Sequence, residues 1–141
     1  MATSLTFTGT IFTSASLLLS ASQTTPIVVA QGGPSGSRIY GLGITTNTTT
    51  AAIHVLNLSS SIGTTRISAL SVTAFSGWTA GTAQYDYFGN AAPAAIFQKN
   101  KDANGVPYFN LAPNTFLTMQ TSGTFITTGT TSSIYAFGEF Y

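Results

Sequence analysis

From Thr3 to Tyr141 the chain is cut by clusters of Gly, Pro, Asn and Ser at about the 8–12-residue spacing of all-β folds. Between the cuts lie short runs of β-branched, aromatic and aliphatic residues, the types that suit a pleated and half-buried backbone. Helix-favouring charged residues are nearly absent, so little competes with that pattern. This punctuation limits the chain to sheets stacked on one another or closed on themselves.

The runs can be followed in order. Thr3–Thr8 and Thr10–Leu19 read as a first pair around Gly9, and Pro26–Ala30 as a short apolar strand. Gln31–Gly36, with three glycines and a proline, is the strongest break. It divides the chain into an N-terminal arm or strand-exchange segment, 1–33, and a jelly-roll-like β-sandwich body, 34–141. In the body, Arg38–Thr46 puts Tyr40, Leu42 and Ile44 on one face and Gly41 and Gly43 on the other. Ala51–Leu58 is apolar on both faces, which belongs in the middle of a covered sheet. Thr65–Phe75 follows a loop at Ser59–Thr64, and Asn47–Thr50 forms another loop. Thr82–Phe88 sets Tyr85 and Tyr87 on one side with Asp86 facing away. Ala94–Lys99 and Val106–Leu111 form a hairpin around Asp102-Ala-Asn-Gly105, since Asn-Gly favours a tight turn. Thr115–Gln120, Thr124–Thr128 and Ser133–Tyr141 complete an antiparallel β-sandwich or jelly roll preceded by its β-arm.

Composition then bears on function. Four Lys/Arg and three Asp/Glu make up 5% of 141 residues, while Ser and Thr fill about 41 positions. A typical soluble domain carries about a quarter charged residues. A surface of short hydroxyls repels its neighbours weakly and loses little when covered, which suits an assembly part. The cations are not clustered as a nucleic-acid backbone requires, and Asp102 directly follows Lys101, so no nucleic-acid partner is expected. The chain has no cysteine, which excludes disulfides and thiolate metal sites. No Lys or Arg precedes Leu17-Leu18-Leu19, and three leucines fall far short of the roughly 18 apolar residues of a membrane span. These leucines read as a buried strand, and no membrane partner is expected.

Chemistry-bearing residues are few. His54 is the only histidine, its strand neighbours are apolar, and no cofactor or metal site is predicted around it. Asp86, Asp102 and Glu139 are scattered: one faces outward beside tyrosines, one begins a turn, and one lies on an edge-like final strand. No serine stands in a nucleophile elbow, so no enzyme activity is expected. Trp78, Tyr85 and Tyr87 concentrate aromatic area near turns, where they either fill the core or form a protein- or glycan-contact surface. Leu5, Phe7, Ile11 and Phe12 are the candidate assembly residues of the arm. Thr3–Ala30 is expected to add a strand to a neighbouring subunit or shell.

Four segments carry a resemblance: Arg38-Ile-Tyr-Gly-Leu-Gly-Ile-Thr-Thr-Asn47, Ile53-His-Val-Leu-Asn-Leu58, Tyr108-Phe-Asn-Leu-Ala-Pro-Asn-Thr115 and Ile134-Tyr-Ala-Phe-Gly-Glu-Phe-Tyr141. Over Arg38 to Tyr141 the chain resembles small β-sandwich accessory proteins of tailed bacteriophages, the capsid decoration or cement proteins. That resemblance implies a homotrimer seated on the outer capsid surface of the virion and bound to the major capsid protein. It implies assembly after synthesis in the host cytoplasm, and no catalytic residues. Low-copy neck or tail adaptors and receptor- or glycan-binding modules of the tail are the alternatives.

Overall fold

The computed structural model describes residues 9–19, 25–87, 100–122 and 131–141, and the described chain holds ten strands and no helix. They are β1 (Thr10–Leu19), β2 (Ile27–Gln31), β3 (Ser37–Thr46), β4 (Ala52–Ser60), β5 (Gly63–Val72), β6 (Tyr85–Asp86), β7 (Asn100–Lys101), β8 (Pro107–Leu111), β9 (Phe116–Thr121) and β10 (Thr131–Phe140). One sheet runs β1-β10-β3-β8-β7 with β6 also on β3, and the second runs β2-β9-β4-β5.

Every pairing is antiparallel, and four of the pairs nest inside one another. β1 lies on β10, β2 on β9, β3 on β8 and β4 on β5, as in one long hairpin folded at the β4–β5 turn. Rolling that hairpin up brings β10 against β3 and β9 against β4. Eight strands wound in this way are a jelly roll, a β-sandwich of two sheets.

The core lies between the sheets. Ile39, Leu42 and Ile44 of β3 and Ile134 and Ala136 of β10 meet Val29, Leu56, Leu117 and Met119 from the other sheet. Burying an aliphatic side chain of this size stabilises by about 1.5–3 kcal/mol. His54, Val55, Leu56 and Asn57 are all buried, and β4 lies between β9 and β5, as its two-sided apolar pattern predicts.

Residues 10–31 supply one strand to each sheet. β1 pairs with β10 over ten residues of the same chain, and β2 puts Val29 and Ala30 into the core. Phe12 stacks on Phe140 at 4.5 Å and packs against the core, while Ile11 stands exposed. Leu5, Phe7 and the strand expected at Thr3–Thr8 lie outside the described residues, as do Ala94–Lys99 and Thr124–Thr128. The Gln31–Gly36 break is a turn between the two sheets, with Gly33 and Gly36 at positive φ.

Smaller departures have local causes. The loop expected at Ser59–Thr64 is a tight turn at Ser61 and Ile62, because Ser60 pairs with Gly63. The following strand stops at Val72, and Phe75 takes φ 56° in the turn beyond it. The Asp102–Gly105 turn forms as its sequence predicts. Asp102 Oδ1 accepts from the Asn104 and Val106 amides, both at 2.9 Å, and Gly105 has φ 78°. Asp102→Ala is expected to lower stability by about 1 kcal/mol in urea unfolding, since two amides lose their acceptor in a partly solvated turn. An unchanged midpoint would mean that the β7–β8 hairpin is held by other contacts.

Candidate functional site

The outer face of the larger sheet carries a trough of about 350 Å³ above β3. Its floor is Gly41 and Gly43. They face outward because Leu42 and Ile44, the residues between and after them, turn into the core. Across the β3–β10 register, Phe137 stands opposite Gly41 and Tyr135 opposite Gly43. Alternation with buried Ile134 and Ala136 sends both rings outward, where Tyr135 is 42% and Phe137 38% exposed. A Cβ on Gly41 would lie 2.2 Å from the Phe137 ring, so only glycine lets that ring rest on the strand.

β6 supplies the facing wall. Tyr85 pairs with Ile44 and so points inward, and Asp86 pairs with Gly43 and points outward onto the trough. The loop before β6 folds back on β3 through Thr46 N to Ser76 O at 2.9 Å, and Gly77 N to Thr82 O at 2.9 Å closes the loop on itself. Gln84 is thereby set over Gly43, and its Nε2 donates to Thr45 Oγ1 at 3.2 Å. Tyr40 joins the lining through a β-bulge. Gly138 pairs with Ile39 and Phe137 with Gly41, which leaves Tyr40 as the extra residue. The sequence pattern put Tyr40 with Leu42 and Ile44. The bulge instead turns it to the outer face, against Tyr108 at 5.8 Å.

Trp78, Tyr85 and Tyr87 do not form one contact surface. Tyr87 is fully buried, and Tyr85 packs edge-on against it at 5.2 Å and touches the core. Their shared face is the one the alternation predicts, but it is the inner face. Burial pushes both phenols above their ordinary value. Trp78 is 58% exposed on the 73–84 loop and does not line the trough. The aromatic wall is Tyr135 and Phe137, which alternate along the last strand with buried Ile134 and Ala136.

Two polar clusters lie elsewhere. At one end of the sandwich, fully buried His54 of β4 spans the two sheets. Its Nε2 is 3.0 Å from Ser132 Oγ and its Nδ1 3.2 Å from the Ala52 carbonyl. Ser132 also bonds Thr46 at 2.9 Å, and Thr46 bonds Thr48 at 3.2 Å. A neutral ring protonated on Nδ1 donates to the Ala52 carbonyl, while the Ser132 hydroxyl beside Nε2 donates to Thr46 Oγ1. Burial holds the imidazole pKa down to about 4. The histidine and serine are both closed to solvent, so this pair ties the sheets together.

The second cluster surrounds Arg38. Its Nε donates to the Tyr141 hydroxyl at 2.6 Å, and the guanidinium lies 5.0 Å from the Tyr108 and Tyr141 ring centres. Burial opposes its charge, but hydrogen bonds to Tyr40 and Tyr141 outweigh that and hold its pKa above the ordinary value. Its Nη1 reaches Glu139 Oε1 at 3.5 Å, and Glu139 Oε2 accepts from the Gly9 amide at 2.9 Å. Glu139 is fully buried on β10, which lies between β1 and β3, so the edge position expected for it is replaced by a covered one, paired with a partly exposed Arg38. The last strand is central because the first strand covers its other side.

Among the described residues no three His, Cys, Asp or Glu side chains come together to hold a metal, and no helix is long and apolar enough to cross a membrane. Comparison with known protein families, with curated proteins and with solved structures finds no match.

Proposed function

We propose that this chain is a structural virion protein, a capsid decoration protein that binds and stabilises the shell of a major capsid protein. The observation that carries this reading is the surface. A chain with 5% charged residues leaves Ile11, Val28, Ile53, Ile62, Trp78 and Phe116 exposed, together with the aromatic wall of the trough. Exposed apolar area on a weakly charged surface favours burial against other chains. β1 and β2 are end strands of the two sheets among the described residues, and they meet along one side of the sandwich. Ile11 and Val28 stand exposed there, and backbone groups on an end strand can pair with another chain. The jelly roll supports the reading as a fold found in capsid proteins, and lectins share it. Contacts repeated between homotrimers and across a shell lattice would supply strength without a large single interface.

The test is copy number. Particles are purified on a density gradient, and the chain is quantified by mass spectrometry against the major shell protein. A near-stoichiometric ratio is expected. A few copies per particle would move the assignment to a neck or tail adaptor or a receptor-binding module, and absence would overturn the virion reading. Deleting residues 1–31 would not serve as a test, because it removes β1 and β2 from the two sheets.

A further inference from the structure

We propose that the trough above Gly41 and Gly43 binds a saccharide, seating one pyranose ring between the Tyr135–Phe137 wall and the Gln84–Asp86 wall. This goes beyond the shell-binding reading, because it gives the chain a small-molecule site on its outer sheet. Its volume of about 350 Å³ falls within the usual range for small-ligand sites.

The chemistry of the two walls selects the ligand. A pyranose presents a face of C–H groups and a rim of hydroxyls, each both donor and acceptor. Tyr135 and Phe137 offer exposed ring surface on one side. Opposite them stand a carboxamide and a carboxylate, planar groups that suit neighbouring hydroxyls. The amide of Gln84 is placed in advance, since its Nε2 is engaged by Thr45 and its plane lies over Gly43. A wholly apolar ligand would bury Gln84 and Asp86 without new partners, which is costly for the amide and more so for the carboxylate. A phosphate-bearing ligand would meet Asp86, and no Lys or Arg lines the trough. An added peptide strand is excluded from the floor, because β3 is already paired with β10 on one side and β6 on the other.

The experiment uses the full chain. A glycan array of terminal hexoses and N-acetylhexosamines is probed first, followed by isothermal titration with the free monosaccharide of the best hit. The expected result is saturable, millimolar binding that falls at least tenfold in Tyr135→Ala and in Asp86→Asn. Thermal melting of both variants should match the parent, and Trp78→Ala should bind like the parent. Gly43→Val, which fills the floor, should also abolish binding. If a variant melts early, ligand-observed NMR on the parent, with line broadening relieved by excess monosaccharide, reads the site without mutation. No saturable binding on the array overturns the proposal, as does binding lost in Trp78→Ala and kept in Tyr135→Ala. Saturable binding of choline with no saccharide binding would assign the trough to a cation instead and also overturn it. None of these outcomes alters the copy number, so this proposal and the shell-binding reading fail separately.

Discussion

Gly138→Ala is expected to lower stability by about 3–4 kcal/mol, among the larger losses known for one substitution, whereas Gly43→Ala should cost less than about 1 kcal/mol. Both positions lie at the centre of the larger sheet, so loss of glycine alone does not separate them. What separates them is the neighbour. A Cβ on Gly138 would lie 2.0 Å from the Arg38 carbonyl oxygen and 3.1 Å from Ile39 Cα. Backbone atoms of a paired strand can retreat only by opening the β3–β10 ladder at its bulge. Opening it there also pulls Arg38 from Glu139, leaving a fully buried carboxylate short of its partner cation. A Cβ on Gly43 meets only the end of the Gln84 side chain, at 3.0 Å, and that amide can rotate away. Urea unfolding of the two variants checks the contrast. Equal midpoints would show that the close approach at Gly138 relaxes easily, and that the bulge is not a fixed point of the fold.

Acid is expected to destabilise the chain through His54. The imidazole titrates near 6.5 when unfolded and about 4 in the fold, so it is neutral in the folded state across that window. Between these values the unfolded chain binds the extra proton, and stability therefore rises with pH. The full contribution is present above about pH 6.5 and is lost as pH falls toward 4. A tenfold difference in proton affinity between the folded and unfolded chain corresponds to about 1.4 kcal/mol, so the loss is on the order of 3 kcal/mol. The physical source is burial: protonation would place a cation between the sheets, beside Ser132, Thr46 and the Ala52 carbonyl. Unfolding free energies measured from pH 7 to 4 should trace this slope in the parent, and His54→Gln should flatten it. A parallel slope in that variant would assign the acid sensitivity to other groups.

Some of this architecture was readable from local pattern. The breaks between strands, the Asp102–Gly105 turn, the two-sided burial of β4 and the opposite faces of Tyr85 and Asp86 follow from alternation and turn chemistry. Those features depend on residues a few positions apart, where side-chain direction reverses at every step of an extended chain. The candidate site was legible only in part. Gly41 and Gly43 on one face signalled a close approach, but the ring that approaches, Phe137, lies on the last strand. Tyr135 and Phe137 were not marked as a contact surface by their positions, because alternation assigns residues to faces without showing which face is covered.

The sequence by itself determined that this chain forms antiparallel sheets with a weakly charged, hydroxyl-rich surface, because both follow from which side chains are present and how they alternate. The tertiary structure alone decided that Thr10–Leu19 covers the last strand, which makes the final strand central and its glutamate interior. It also decided that one bulge turns Tyr40 outward and that Arg38 meets Glu139 across 101 residues of chain. Those outcomes depend on which distant strands become neighbours and in what register, and a shift of one residue in register exchanges the two faces of a strand.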